Sequence, residues 1–157
     1  MYAKSMDNSP SQLFIDRETI RLTAEGKFLS DGEEITHERT VAAFHKHLGH
    51  DDEGYFIQIG KDFKRVEVED TGRFVRTLNW ISETKIELKL LDGTVELLKP
   101  ETVRFREGRL TALVKDEKEE AKFLRAPYLE FFLKAHVKED SGKYHAIIAG
   151  KKYELKA

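Results

Sequence analysis

The alternation of apolar and polar residues is most regular between Lys85 and Leu98. Two alternating runs flank Asp92 and Gly93 there, and this dipeptide is typical of a two-residue hairpin turn. The pattern therefore predicts a β-hairpin in the middle of the chain.

A two-residue turn also sets the register of this middle hairpin, because side chains alternate between the two faces of a strand. From the turn outward, the predicted pairs are Leu91 with Thr94, Leu90 with Val95, Lys89 with Glu96, and Leu88 with Leu97. The apolar pairs would share the buried face, and the oppositely charged pair would lie on the other face.

Upstream, apolar residues occur at the spacing of an α-helix. Val41, Phe44 and Leu48 fall on one face of residues 37–48, and Gly49 follows as a C-terminal cap. The spacing predicts an amphipathic helix of about three turns.

After this helix, residues 54–60 and 64–69 alternate and are rich in β-branched and aromatic side chains, so they predict a second hairpin. Val66 and Val68 are expected to point inward. The charged residues that alternate with them are expected to point outward.

The C-terminal third repeats this order of patterns. Residues 44–61 and 132–151 both run from an apolar helix end through acidic residues to a glycine, an aromatic strand and a Gly-Lys turn. Residues 20–28 also resemble residues 103–111 when one position is gapped. The helix of the second copy is expected to begin near Pro127 and to bury three apolar residues, Leu129, Phe132 and Leu133.

These elements predict an α+β fold of two similar strand, helix and hairpin lobes, with mostly antiparallel strands and a middle hairpin that joins the lobes. Residues 1–16 are interpreted as a flexible lead-in, residues 17–99 as the first lobe with the middle hairpin, and residues 100–157 as the second lobe. Two repeats are too few for a solenoid, so we expect a two-lobed globule with a cleft between the lobes.

Composition narrows the classes of function. The 27 basic and 29 acidic residues are interspersed along the chain, which argues against a broad nucleic-acid surface. The chain has no cysteine, so disulfides, thiolate nucleophiles and sulfur-ligated zinc are excluded. With no long apolar segment in the sequence, we expect a cytoplasmic protein that does not enter membranes.

A short run of residues resembles the bacterial domain-of-unknown-function family 1285 (DUF1285). Gly54-Tyr55-Phe56 is followed by the strand RVEVED at residues 65–70 and then by Phe74. Ten residues fall at positions of the family's pattern: Gly26, Gly32, Ile35, Phe44, Leu48, Gly54, Tyr55, Val68, Glu69 and Asp70. The resemblance implies a two-domain α+β fold of repeated motifs, a monomer without a cofactor, and a role in signalling.

The sequence also contains candidates for catalytic or metal-binding groups. Three histidines stand close to three acidic residues: His45, His47, His50, Asp51, Asp52 and Glu53. His45 and His47 would lie about 200° apart on a helix, whereas paired ligands on a helix normally lie three or four residues apart. The spacing therefore favours structural histidines near a helix end, where the helix dipole stabilises imidazolium, and predicts no metal site.

Three functional hypotheses follow from these patterns. The first is a non-enzymatic module that holds a small ligand or a partner segment between its lobes, with contacts from Tyr55, Arg65, Glu69, Asp70, Arg125 and Tyr128. The second is a hydrolase whose carboxylates and histidines only the fold would assemble. The third is a scaffold that pairs through an exposed strand of the middle hairpin.

Overall fold

The computed structural model of the chain describes residues 13–15 and 17–157. This part of the chain divides into two compact units, with the boundary between Gly72 and Arg73. Among the described strands most pairs are antiparallel, and each six-stranded sheet contains one parallel pair, so both of these sheets are mixed. Neither described helix has the length and hydropathy that crossing a membrane requires.

The first unit contains one helix and one six-stranded sheet. Its elements are β1 (Ile20–Leu22), β2 (Phe28–Ser30), β3 (Glu33–Glu34), α1 (Glu38–Lys46), β4 (Leu48–Asp51), β5 (Gly54–Ile59) and β6 (Asp62–Val68). The strand order is β3-β2-β1-β6-β5-β4, in which β1 runs parallel to β6. The hairpin predicted from residues 54–69 is present as β5 and β6.

Aromatic packing closes the core of the first unit. Phe28 is fully buried, and its ring meets the ring of Phe44 on α1 edge-to-face at a centroid distance of 5.4 Å. Phe14 is also buried, and its ring lies 5.6 Å from Phe44. The predicted lead-in of residues 1–16 therefore contains a core residue, Phe14. Residues 1–12 and 16 lie outside the described residues.

Helix α1 is shorter than its pattern predicts. It begins after His37, whose Nδ1 accepts a hydrogen bond from the backbone N–H of Thr40 at 3.3 Å. It ends at Lys46, because the chain turns into β4 at Leu48. Gly49 is therefore a strand residue and no helix cap, and a Cβ there would lie 3.0 Å from the ring of Phe56.

The second unit contains a six-stranded sheet, a three-stranded sheet and one helix. Its elements are β7 (Arg73–Trp80), β8 (Ile86–Leu90), β9 (Val95–Leu97), a 3₁₀ turn (Pro100–Thr102), β10 (Arg104–Arg106), β11 (Arg109–Val114), β12 (Glu119–Phe123), α2 (Arg125–Lys134), β13 (Lys138–Asp140), β14 (Lys143–Ile148) and β15 (Lys151–Leu155). The orders are β10-β11-β12-β7-β8-β9 and β13-β14-β15.

The middle hairpin belongs to the second unit. Strand β7 pairs with β8 on one side and runs parallel to β12 on the other, in a register that places Arg73 beside Ala121. These hydrogen bonds draw residues 73–99 into the same sheet as β10–β12. The boundary at residue 72 therefore differs from the one predicted at residue 99.

Both units share one arrangement of elements. Each has a helix followed by a three-stranded meander, β4-β5-β6 in the first unit and β13-β14-β15 in the second. In the first unit the last strand of the meander, β6, pairs parallel with β1. In the second unit, Lys156, just after β15, forms one isolated parallel bridge with Arg104 of β10.

Helix α2 presents a different face to the core than the sequence predicts. Pro127, Phe131 and Ala135 are spaced four residues apart and are buried. Of the three residues predicted to be buried, Phe132 is partly buried and packs against the core, whereas Leu129 and Leu133 are exposed, at 49% and 75%. The helix begins at Arg125, two residues before Pro127. The face that it buries is the one that contains Phe131.

The middle hairpin is present, but its predicted register is wrong by one residue. Leu88 pairs with Glu96, and Lys89 pairs with Val95. The turn contains three residues, because the N–H of Leu90 donates to the carbonyl of Thr94 at 2.9 Å. A one-residue slip moves every side chain of β9 to the opposite face, so Val95 and Leu97 are about half exposed.

Candidate functional site

The six residues predicted to contact a ligand are divided between the two units. Tyr55, Arg65, Glu69 and Asp70 belong to the first unit, and two further residues, Arg125 and Tyr128, belong to the second. That all six line one ligand site stays a prediction of the sequence.

Arg65 is held by acidic residues of its own sheet. Its guanidinium makes two hydrogen bonds to Asp51, at 2.7 and 2.9 Å, and one to Glu53 at 3.2 Å. The rings of Phe56 and Phe63 lie 5.6 and 5.2 Å from its central carbon, so they flank the cation. The hydrogen bonds from Arg65 lower the pKa of Asp51 to about 2. These contacts fix the position of the Arg65 side chain.

Tyr55 packs closely against the chain at the end of the first unit. A Cβ built on Gly72 would lie 2.6 Å from Cε1 of Tyr55 and 3.1 Å from Cδ2 of Leu48. Tyr55 and Arg65 both line a small cavity of about 370 Å³, to which residues 18–20 also contribute. The structure therefore brings these two predicted residues to one place.

The acidic residues after β6 have separate roles. Glu69 accepts a hydrogen bond from the N–H of Ala24 at 3.0 Å and pairs with Arg21 at 3.8 Å. Asp70 follows outside the strand and is partly buried. Glu69 thereby ties the loop after β1 to the end of β6.

In the second unit, Arg125 is the exposed first residue of α2. Tyr128, one turn further, is half-buried and its ring lies 6.2 Å from the ring of Phe105 and 4.8 Å from that of Phe132. Tyr128 therefore supports an aromatic cluster of the core.

The three clustered histidines are separated by the fold. His45 is buried with its ring 4.6 Å from the ring of Phe28, whereas His47 and His50 are exposed. Within residues 13–15 and 17–157, no group of three histidine or acidic side chains is arranged to hold a metal ion.

An ionic cluster that the sequence did not predict lies in the second unit. Asp92 lies in the turn of the middle hairpin, and its side chain, 6% exposed, pairs with Lys115 at 2.8 Å and with Arg73 at 3.4 Å. Arg73 also pairs with Glu119 at 2.9 Å. Burial raises the pKa of Asp92, but hydrogen bonds from Lys115 and Thr94 outweigh it, so the pKa lies below its ordinary value.

Strand β10 carries the second feature that the sequence did not predict. Phe105 packs edge-to-face on Tyr144 at 4.8 Å, and both rings line a cavity of about 520 Å³ with Leu155 and Lys156. A second cavity of about 460 Å³ is lined by residues of β10, β11 and β12, with three arginines among them: Arg104, Arg106 and Arg109. Arg106 contributes to both cavities.

The alternating Arg-Phe-Arg of β10 was the available signal for this region. It indicates a strand with one aromatic and one cationic face. The surroundings of this strand depend on the residues at and after β15. The N–H of Phe105 donates to the carbonyl of Lys156 at 2.8 Å, across more than fifty residues of sequence. Such a long-range pairing has no local signature.

Comparison with known proteins gives structural relatives. No protein-family model and no curated protein matches the sequence. A DUF1285 family protein from Silicibacter pomeroyi is 13% identical, with 88% of this chain and 79% of that chain covered and a TM-score of 0.56. A DUF1285 family protein from Shewanella baltica is 17% identical, with 74% of this chain and 92% of that chain covered and a TM-score of 0.58.

Identities this low show a likeness of fold alone. Residues 20–74, around Gly54 and Tyr55, resemble the same family. The chain therefore has the fold of DUF1285 family proteins.

Proposed function

We propose that the chain is a non-enzymatic module that binds a small organic ligand and acts in regulation or signal transduction. The cavity of about 520 Å³ beside Phe105 and Tyr144 carries this proposal. Sites for small molecules commonly measure about 300–1,000 Å³ and combine apolar walls with a few polar groups.

The wall of this cavity is aromatic and well supported. The ring of Phe105 contacts Tyr144 at 4.8 Å and Phe132 at 4.9 Å, and Tyr128 stacks beside it with an interplanar angle of 18°. Three aromatic contacts of this kind hold the ring of Phe105 in place from several sides. Tyr128, predicted as a ligand contact, would then act by positioning Phe105.

The rim of the cavity carries polar groups of both signs. The lining includes two lysines and two glutamates, so a bound ring with a polar substituent would find partners there: Lys143, Lys156, Glu107 and Glu154. A flat apolar molecule with one or two polar groups is the ligand class that this lining fits.

The proposal also covers the relation between the two lobes, the cellular compartment and the oligomeric state. The order of elements that the two units share supports the interpretation that each is a copy of one strand, helix and hairpin lobe. The absence of cysteine suits the reducing cytoplasm. We propose a cytoplasmic monomer without a cofactor. Sedimentation equilibrium of the purified chain tests whether it is a monomer.

Nuclear magnetic resonance of the full chain tests the ligand site. Indole, benzamide and benzoate serve as probes at millimolar concentration. We expect at least one of them to shift the amide signals of Phe105, Tyr144 and Leu155. Tyr144→Leu should weaken that binding about three- to tenfold, since a well-placed aromatic contact contributes about 0.5–1.5 kcal/mol.

Tyr153→Leu is the matched control. Tyr153 is a half-buried tyrosine on the neighbouring strand β15, pairs with Ala146, and does not line the cavity. Its variant should bind the probe within about twofold of the wild type. Equal loss in both variants, or probe shifts confined to other surfaces, would contradict the proposal.

A further inference from the structure

We propose that the arginine-lined cavity on the other face of β10 is a binding site for a phosphate group. This inference goes beyond the proposed function, because it concerns a different cavity and a different chemistry. Arg104 and Arg106 alternate with Phe105 and therefore belong to the face opposite the aromatic wall.

Strand register brings a third arginine to this face. Arg106 pairs with Arg109 on β11, and Arg104 pairs with Thr111. Residues directly opposite in an antiparallel pair have neighbouring side chains, and like charges in such positions repel. The fold thus places three guanidinium groups around one cavity of about 460 Å³.

Only one of these arginines is neutralised by the surrounding protein. Nη2 of Arg109 donates to Oε1 of Glu120 at 2.8 Å, and the hydroxyl of Thr111 donates to Oε2 at 3.0 Å. Arg104 and Arg106 are exposed, and their side chains make no hydrogen bond or ion pair with any residue that the structure describes. Glu107 is the one further acidic side chain at this cavity within the described part of the chain.

The spacing of the two arginines selects phosphate over carboxylate. Residues two apart on a strand are separated by about 6.7 Å, so their flexible side chains can converge on one tetrahedral group. A phosphate has enough terminal oxygens to accept hydrogen bonds from two guanidinium groups at once. A single carboxylate has two oxygens, and one bidentate guanidinium engages both of them. The planar guanidinium fork of arginine also matches the geometry of phosphate oxygens bidentately.

The cavity sits in a basic region of an acidic chain. Five basic residues line this cavity and its neighbour: Arg104, Arg106, Arg109, Lys143 and Lys156. Three acidic residues accompany them: Glu107, Glu120 and Glu154. The whole protein has a net charge of −2, so the local excess of positive charge is a property of this face.

Titration of the full chain with inorganic phosphate and with phenyl phosphate, at constant ionic strength, tests this site. Amide shifts should appear at Arg104, Arg106 and Thr111, and an R104Q/R106Q double variant should lose at least tenfold in affinity for both probes. Inorganic phosphate alone would bind if the site takes the free anion. Preference for phenyl phosphate would indicate a phosphorylated organic molecule.

Three controls make the result decisive. Arg76→Gln removes one exposed cation of the same unit away from the cavity and should change the affinity less than twofold. Arg106→Lys keeps the charge but loses the fork, so its affinity should fall between the wild type and the double variant. Acetate should bind more weakly than phosphate.

Unchanged thermal melting of the variants will show that they fold, since both arginines are exposed. Wild-type affinity in the double variant, equal loss in Arg76→Gln, or no phosphate binding by the wild type would overturn the inference. Arg106 lines both cavities, so the titration with inorganic phosphate, which has no ring to enter the aromatic cavity, is the measurement that separates this proposal from the Tyr144→Leu test.

Discussion

The Nζ atom of Lys115 lies 2.8 Å from Oδ2 of Asp92, which joins two turns that are more than twenty residues apart in the sequence. The same ammonium donates to Oγ1 of Thr94 at 2.7 Å. The backbone N–H of Lys115 donates to both carboxylate oxygens of Glu96, each at 3.2 Å. The turn after β11 is therefore fastened to the turn of the middle hairpin.

Lys115→Met should destabilise the protein by about 2–4 kcal/mol, because it leaves the carboxylate of Asp92 nearly buried with fewer donors. The comparison variant is Lys99→Met, which breaks the ion pair of Lys99 with Glu117, where both side chains are about half exposed. That variant should cost no more than about 1 kcal/mol. Urea denaturation measures both, and equal costs would show that burial of Asp92 does not matter.

Asp51 should titrate at an unusually acidic pH. Its pKa is lowered from the ordinary 3.8 to about 2 by the hydrogen bonds from Arg65. A lowered pKa in the folded state means that the stabilisation is complete above pH 3.8 and is lost as the pH falls toward 2. Carbon-detected titration of the carboxyl group measures this value directly.

Arg65→Gln should return the titration midpoint of Asp51 toward its ordinary value. Arg21→Gln is the control, because Arg21 pairs with Glu67 and Glu69 and makes no ion pair with Asp51. An unshifted midpoint in Arg65→Gln would exclude Arg65 as the cause.

Gly72→Ala should destabilise the first unit by about 1–3 kcal/mol, because the new Cβ would overlap the ring of Tyr55. In a Tyr55→Leu background the same substitution should cost clearly less, which a double-mutant cycle measures as coupling between the two positions. Additive effects would show that Tyr55 is not the obstacle.

The observed register of the middle hairpin predicts unequal effects on its two strands. Leu88→Ala should cost about 2–5 kcal/mol, because Leu88 is fully buried. Leu97→Ser should cost within about 0.5 kcal/mol, because Leu97 is 48% exposed. The two-residue turn would instead have buried both residues as a pair, so a large cost at Leu97 would support that register.

Local signals in the sequence identified several elements correctly. The alternation at β5, β6 and β8 and the helical spacing around Phe44 each depend on residues that are close in sequence. The register around Asp92 and Gly93 failed because the same dipeptide also suits a three-residue turn, in which Gly93 takes a φ of 88°. One turn residue more or less reverses the faces of β9.

The sequence predicted the helices and strands better than it predicted the sites. Tyr55 and Arg65 were both predicted as ligand contacts, but the acidic partners of Arg65 were not predicted, because Asp51 reaches it from β4. The cavities beside Phe105 and Arg106 require the pairing of β10 with β11 and with Lys156. Residues that distant meet only in the folded sheet.

The sequence by itself determined the periods, the position of the middle hairpin, the lack of thiol chemistry and the resemblance around Gly54 and Tyr55. Only the tertiary structure decided that β7 joins β12, where the boundary between units falls, and which arginines share a cavity. The physical reason is that side-chain alternation specifies which face a strand can bury. The choice of partner strand depends on the free energy of burying whole faces together, and that free energy is a property of the complete fold.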